Sequence, residues 1–539
     1  MSLVLVLGSI VAFVVAYVSY GAWLCKKWGV DPSRETPAHY KSDGVDYVPA
    51  SAGVVLGHHF ASIAGAGPIT GPIIAAMFGW LPVYLWIIVG SIFFGGVHDF
   101  GSLFASLRHD GKSIGQIIST TMGESGKRLF SIFAWLTLLL VEAAFISIVV
   151  GTFIDIPAVA TTSMLFIIVA VIFGYLTNRL NVNSLIATII GLVGVAASIY
   201  IGTRFGINLS TTTWTIIILA YIFIASVTPV WILLQPRDYL NSFLLYAMLA
   251  GAIIGLLFYR PDIELPAYTG FNINGNYLFP ILFVTVACGA ISGFHSLVGS
   301  GTTAKQLNSE KDAKLVGYGA MLIEGVLAVI ALITVSYVAK GTFATGTAPT
   351  VIFADGVGEF MTKIGIPKEF GVTFISLSVS AFALTSLDTA TRLGRFIFQE
   401  FFENKKGADN KDSMLSNKYV ATTITVLAGG LLCVAGWQKV WPIFGSANQL
   451  LAALALLVLA VWLKQTGRDN KMIIIPMVFM VLVTMFALVL LVKSNLITMM
   501  SNGIESGGMI LVVLSTGLFI LALIFIKYAY GALFNSKKA

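Results

Sequence analysis

Gly57-His58-His59-Phe60-Ala61-Ser62-Ile63-Ala64-Gly65-Ala66-Gly67-Pro68-Ile69-Thr70-Gly71-Pro72 is the stretch whose reading decides the fold. It lies in a segment from Tyr47 to Val97 that contains no Asp, Glu, Lys or Arg. That segment is long enough for two bilayer crossings at about 20 apolar residues each. Inside it, Pro68 and Pro72 each remove a backbone donor, and the glycines admit non-helical dihedrals. Irregular backbone at membrane depth survives only within protein or beside a water-filled cavity. A kinked, tightly packed helix would account for small residues at Gly65 and Gly67. The coincidence of two histidines with repeated breakers favours a discontinuous helix that lines a site.

Composition extends the membrane reading to the whole chain. Of 539 residues, 57% are apolar and 11% charged, against roughly 25% charged in soluble proteins. Mean hydropathy is +0.90. A soluble enzyme, a disordered chain and a nucleic-acid binder are excluded, and an all-α polytopic membrane protein remains. The three cysteines, Cys25, Cys288 and Cys433, are scattered and odd in number, so they suggest neither a disulfide framework nor a thiolate metal site. Residues 2 to 24 are uncharged, too long for the apolar part of a signal peptide and preceded by no basic stretch, so they read as a helix and not a cleavable leader.

The span length places crossings near 2–24, 51–78, 81–107, 129–150, 157–177, 184–203, 213–233, 240–259, 278–299, 315–339, 370–393, 419–437, 440–463, 472–493 and 508–530, about fifteen helices. With the N-terminus outside and the C-terminus inside, the cytoplasmic connections hold all of the 32 Lys and Arg except Arg204, Arg260, Lys340, Lys363, Lys368, Lys439 and Lys493. The excess of basic residues on one side sets that orientation, and the net charge of +7 reports it rather than a polyanionic partner. The longest outer segments are 260–277 and 340–369. No soluble domain and no short repeat interrupt the single transmembrane domain, 1–539.

A second break is expected at Ser226-Val227-Thr228-Pro229, followed by Gln235-Pro236-Arg237-Asp238-Tyr239-Leu240 at the cytoplasmic end. The two broken spans stand five apart and run in opposite directions, as a repeat of five plus five inverted helices requires. The ten-helix core would then cover 51–393, with one extra helix before it (2–24) and four after it (419–530).

Ionisable groups within spans are costly, so each is a functional candidate. They are His58, His59, His98, Asp99, Glu142, His295, Glu324 and Asp388. Histidine titrates near pH 6.5 and suits proton exchange. His98 and Asp99 lie near the inner end of their span and read as structural or gating groups. So do Asp388 and Arg392, which are spaced to pair along one helix. Ser292, His295 and Ser296 share one helix face within Gly289–Lys305. His58 and His59 point about 100° apart on a regular helix, and no ligand spacing supports a metal site. No phosphate-binding loop is present, and no cofactor is indicated.

These stretches resemble the carbon starvation protein A (CstA) family. The resemblance rests on Gly57–Ala61 through Gly65–Pro68 and Gly71-Pro72; on Gln235–Leu240; on Ser292–His295 with Ser300–Thr303 and Lys305; on Thr385–Arg392; and on Trp441–Gly445 with Asn448–Ala453. It implies an uptake carrier of a prokaryotic inner membrane associated with nutrient limitation. It also implies peptide uptake or proton-coupled pyruvate uptake, and a LeuT-type inverted-repeat fold.

The expectation is a secondary active transporter of peptides or small carboxylates, and not an enzyme. Its partners would be the substrate, a coupling ion (H⁺ or Na⁺) and the bilayer, with no nucleic acid. Gly65, Ala66, Gly67 and Pro68 would present a half-helix N-terminus to the substrate carboxylate, with Thr228 and Pro229 bordering the cavity. Coupling would fall to His58 and His59, then to Glu142, Glu324 and His295. Ser292 and Ser296 are candidates for a cation site by analogy with sodium-coupled relatives. The rival readings are a passive pore lined by the same broken helices and a nutrient- or metal-sensing receptor on a transporter scaffold.

Overall fold

Without water to take its N–H and C=O groups, an apolar chain in a bilayer closes its hydrogen bonds within helices. The computed structural model is accordingly almost all helix. It describes residues 1–43, 47–229, 232–338, 347–402, 414–433, 436–502 and 506–534. Lys340, the residues 230–231, 339 and 434–435 of expected spans, and Lys405, Lys406 and Lys411 lie outside the described residues.

In chain order the helices are α1 (Ser2–Trp28), α2 (Ala52–Ile63), α3 (Gly67–Ala75), α4 (Trp80–Arg108), α5 (Ile114–Asp155, sharply kinked at Gly123, φ 81), α6 (Pro157–Asn178), α7 (Ser184–Arg204), α8 (Thr211–Val227) and α9 (Leu234–Tyr259). They continue as α10 (Leu278–Thr285), α11 (Gly293–Gly301), α12 (Lys314–Tyr337), α13 (Pro349–Met361), α14 (Lys368–Phe402), α15 (Lys418–Cys433), α16 (Lys439–Gln465), α17 (Lys471–Ser501) and α18 (Met509–Tyr528). Among the described residues, 11 are long and apolar enough to cross a membrane, and the bent pair α2–α3 makes up to 12. The other expected spans are shorter pieces. α8 has 17 residues and α15 has 16, while α10 and α11 are the two parts of an interrupted segment. Hydropathy averages over a window, so it passes over such interruptions.

Connections that hydropathy left without structure hold elements of their own, a hairpin and a helix among them. In the segment 260–277, Asn274 (φ 51) and Gly275 (φ 84) turn a two-residue hairpin of β1 (Asn272–Ile273) on β2 (Asn276–Tyr277). In the segment 340–369, α13 buries Phe353, Val357 and Phe360 at helical spacing, which fixes it to the bundle.

The break in the first stretch is real. α2 stops at Ile63, Ala64 leaves the helix (φ −77, ψ 53), and α3 restarts at Gly67 with a 47° bend. Pro68 sits in the first turn of α3, where its missing N–H deprives no carbonyl of a partner. A Cβ at Gly71 would lie 2.5 Å from the carbonyl oxygen of Thr285, so α3 and the end of α10 meet backbone to backbone.

The second break is not at Ser226–Pro229. Those residues are the C-terminus of α8, where Thr228 caps in an extended conformation and Pro229 is exposed. A proline that ends a helix and one that interrupts it look alike in sequence. The interruption falls instead between α10 and α11, in the hydroxyl-rich stretch. α10 packs on α3 and α11 on α2, so the two broken helices run antiparallel with their gaps side by side.

α16 is buried along its length and packs on α5, α11 and α17. α6 and α7 pack chiefly on each other and turn Ile168, Ile172, Ile186 and Ile189 outward, the pattern of a lipid-facing hairpin.

Candidate functional site

The gap between α2 and α3 is enclosed on every side. Gly65, Ala66, Gly67 and Pro68 are all buried. A Cβ at Gly65 would lie 2.6 Å from Ser386 Oγ of α14 and 3.0 Å from the Phe145 ring of α5. A Cβ at Gly67 would overlap the Cys288 sulfur in the facing gap. The Ser386 hydroxyl donates to the Ser62 carbonyl at 3.0 Å, in the last turn of α2. No side chain caps the N-terminus of α3, so no side chain offsets the positive end of its dipole.

Asn448 of α16 fastens the other broken helix. Its Oδ1 accepts from the Phe294 N–H at 2.9 Å, and its Nδ2 donates to Ser292 Oγ at 3.0 Å. Ser296 donates to the Gly293 carbonyl at 2.7 Å. Both serines expected at a cation site thus spend their hydroxyls on holding α11.

The structure does not bring Thr228 and Pro229 to the gap. The Ala225 and Thr228 carbonyls at the end of α8 accept from Arg392 at 2.9 and 2.6 Å, and the Ser226 carbonyl from Arg395 at 2.6 Å. Guanidinium groups of α14 therefore cap the negative end of α8, and Arg392 works across helices rather than along its own.

Four ionisable groups form one buried chain beside α11. Asp99 of α4 accepts from its neighbour His98 (Nδ1–Oδ1 2.7 Å) and from His295 of α11 (Nδ1–Oδ2 2.8 Å). The other nitrogen of His295 stands 3.5 Å from Glu324 Oε2 on α12. All four side chains are at most 1% exposed. His98 and Asp99, read from sequence as anchors of the inner face, belong to this chain. With Nδ1–H of His295 turned to Asp99, its Nε2 is left to face Glu324. One proton can therefore sit on either side of that 3.5 Å space, on the imidazole or on the carboxyl. His59 lies close by and bonds Thr303 Oγ1 through Nδ1 at 2.9 Å.

His58 turns the other way, into a second cluster. Its Nδ1 is 3.2 Å from Asp238 Oδ2. Arg237 of α9 donates to Asp238 (2.9 Å), to the Tyr221 hydroxyl of α8 (2.6 Å) and to Asp388 of α14. Tyr221 also donates to Asp388 at 2.8 Å. Asp388 thus pairs with Arg237 rather than with Arg392, because the folded chain brings a partner from α9 closer.

Glu142 joins neither cluster. It is fully buried on α5 against Gly429 of α15, and its oxygens have no hydrogen-bond partner among the described residues. Among the described residues no three His, Cys, Asp or Glu side chains are placed to hold a metal ion. Two cavities flank the gaps. One, of about 60 Å³, is lined by His58, Gln235, Lys305 and Arg392. The other, of about 460 Å³, is lined by Thr70, Thr152, Asp155 and the start of α13.

Sequence reasoning passed over Arg237, Asp238, Tyr221, Ser386 and Asn448 as site residues. Arg237 and Asp238 did carry a signal, two opposite charges abutting an apolar span. Ser386 and Asn448 stood in stretches that carry the family resemblance but showed no site role, since an uncharged polar residue in a helix is ordinary until its neighbours are known.

Comparison with known proteins agrees with this architecture. The family model described as carbon starvation protein CstA matches residues 1–351 and 337–487. The peptide transporter CstA of Helicobacter pylori is 33% identical over 567 residues, covering 90% of this chain and 81% of that protein. The pyruvate/proton symporter BtsT of Escherichia coli is 31% identical over 582 residues, covering 90% and 81%. Among solved structures, the manganese transporter of Eremococcus coleocola superposes with a TM-score of 0.53 over 90% of this chain and 99% of that one. At 13% identity that likeness concerns the fold alone.

Proposed function

We propose how this chain, which belongs to the carbon starvation protein CstA family and is a multi-pass membrane transporter, does its work. It is a secondary active carrier that brings a carboxylate-bearing substrate, a peptide or a small carboxylate such as pyruvate, into a prokaryotic cell. The return of protons drives it, and the demand it serves is nutrient limitation. The relatives named as a peptide transporter and a pyruvate/proton symporter support the substrate class and the ion.

The observation that carries the mechanism is that α11 belongs to both halves of it. Its first turn flanks the gap that faces α3, and His295 in that same turn is the middle of the buried chain. A carboxylate settling against the N-terminus of α3 shifts α11. The shift changes the 3.5 Å separation of His295 and Glu324, and so the stability of the proton between them. Asp99 and His98 hold the imidazole in its orientation, and His59 ties α2 to the far end of α11. Glu142 and the serines Ser292 and Ser296 are assigned no part in coupling. The enclosed gap favours a carrier over a passive pore.

The N-terminus lies outside and the C-terminus inside in this reading, with fifteen crossings of which two are broken. α4 packs on α12, α5 on α14 and α8 on α15, the pairing that two inverted five-helix repeats produce. The hairpin α6–α7 is then an insertion, and the ten-helix core runs from α2 to α16 rather than over 51–393. The contact of His58 with Asp238 joins α2 to α9 at the inner cavity and must part when the inside opens.

The test is uptake of labelled pyruvate and of a labelled dipeptide into proteoliposomes, with and without an inward proton gradient. His295→Gln should abolish gradient-driven accumulation of whichever substrate the wild type takes. Accumulation without any gradient, or full accumulation by His295→Gln, would overturn the reading.

A further inference from the structure

The cavity of about 460 Å³ lies apart from the enclosed gap and is within the size range of small-ligand sites, about 300–1,000 Å³. We propose that it is a second substrate site on the outer side, which holds a zwitterion by both ends before the gap receives it. The carboxylate sits at the first turn of α13 and Thr70, and the ammonium at Asp155. This deepens the carrier reading and rests on it.

Two oppositely charged helix ends face this one space. α13 begins there, with Ala348 extended at its cap, Pro349 carrying no N–H, and no side chain capping the N–H of Thr350. α5 ends there, and its last residue is Asp155, exposed, with the negative end of the helix dipole behind it. Asp155 is the one charged side chain among the described lining residues. A single carboxylate would find the α13 end favourable and Asp155 repulsive, whereas a molecule with an ammonium at one end and a carboxylate at the other suits both.

The independent sign of a ligand is Thr70. Its side-chain oxygen is buried and has no hydrogen-bond partner among the described residues, and the residue lines the cavity. The two hydroxyls that α5 contributes are spent on their own helix, Ser147 on the Ala143 carbonyl at 2.9 Å and Thr152 on the Ile148 carbonyl at 2.9 Å. A buried hydroxyl left unpaired is unfavourable, and a bound carboxylate oxygen would accept its hydrogen bond. Thr70 is on α3, two residues past Pro68, so the helix that begins at the gap also forms part of the cavity wall.

The full chain in nanodiscs would be tested for binding of glycylglycine, N-acetylglycylglycine and pyruvate, with gradient-driven uptake measured alongside in proteoliposomes. Wild type should prefer glycylglycine to its N-acetyl form. Asp155→Asn should shrink that preference by about fivefold, the size expected for one exposed charge pair. Thr70→Val should weaken both ligands and Thr70→Ser should restore them, which separates a lost hydroxyl from a lost fold. Unchanged affinities in Asp155→Asn and Thr70→Val, or a wild-type preference for the N-acetyl form, would overturn the proposal. Gradient-driven uptake that persists with those unchanged affinities leaves the carrier standing without this site. The expected discrimination without any uptake leaves the site standing and removes the carrier.

Discussion

Under the proposed mechanism, Glu324→Gln should remove a proton site and little else. Glu324 is fully buried, its Oε2 is 3.5 Å from His295 Nε2, and neither of its oxygens has a hydrogen-bond partner among the described residues. Glutamine has the same length, and its amide can donate to that imidazole nitrogen. The fold therefore loses no hydrogen bond, and stability should change by about 1 kcal/mol or less. Function should change far more. In the proposed mechanism the chain of His98, Asp99, His295 and Glu324 offers one site at which a proton passes between two groups, which implies one proton per substrate. A gradient of one pH unit then supplies about 1.4 kcal/mol, or roughly tenfold accumulation. Every 100 mV adds about 2.3 kcal/mol for each charge moved. In proteoliposomes with one unit of inward gradient and the potential clamped, wild type should accumulate substrate about tenfold and Glu324→Gln not at all. Exchange of labelled for unlabelled substrate should survive in the variant, because the gap between α2 and α3 is untouched. Tenfold accumulation by Glu324→Gln would refute the assignment. Roughly hundredfold accumulation by wild type would mean two protons per cycle, and would turn attention to the isolated Glu142.

Arg237→Met should destabilise the protein by about 3–5 kcal/mol, since it leaves the carboxylates of Asp388 and Asp238 buried without their cation. Thermal unfolding in detergent measures this, and Asp388→Leu added to the same chain should recover part of the loss. Gly67→Ala should abolish uptake because its Cβ would overlap the Cys288 sulfur, and Cys288→Gly in the same chain should restore some of it. Between the connections that follow α1 and α4, Tyr40 donates to Asp110 at 3.0 Å and Lys41 stands 3.4 Å away. The hydrogen bond first, and then the charge, hold this carboxyl below the usual carboxylate range. Its contribution to stability is therefore present above about pH 4, its unfolded value, and fades as pH falls further. The stability difference between wild type and Asp110→Asn, followed in a pH series, should shrink below that point, and a difference that grows instead would contradict the contact.

The break at Gly65–Pro68 could be read from sequence because the residues that cause it are adjacent. Prolines without N–H groups and glycines without Cβ atoms act on their own backbone, and no distant partner is needed. The apolar segments were legible for the same reason, since the cost of exposing a backbone in lipid is paid segment by segment. The second break was misplaced because two kinds of signal overlap. Ser226–Pro229 has a proline but ends a helix, whereas the true interruption before Gly293 has none and is held open by Asn448, 156 residues further along the chain from Ser292.

The candidate ionisable residues were named from sequence one at a time, on the ground that charge inside a membrane is costly. Which of them meet was decided only by tertiary structure. His58 and His59 are neighbours in sequence, yet one reaches Asp238 on α9 and the other Thr303 beyond α11. Asp388 looked matched to Arg392 on its own helix and pairs with Arg237 from another. Hydropathy and backbone propensity are sums over local residues, so the chain alone determined a helical membrane protein with a broken helix at its second span. Ion pairing depends on distances between helices far apart in sequence, so only the packing of α2, α4, α11 and α12 decided that His98, Asp99, His295 and Glu324 form one chain.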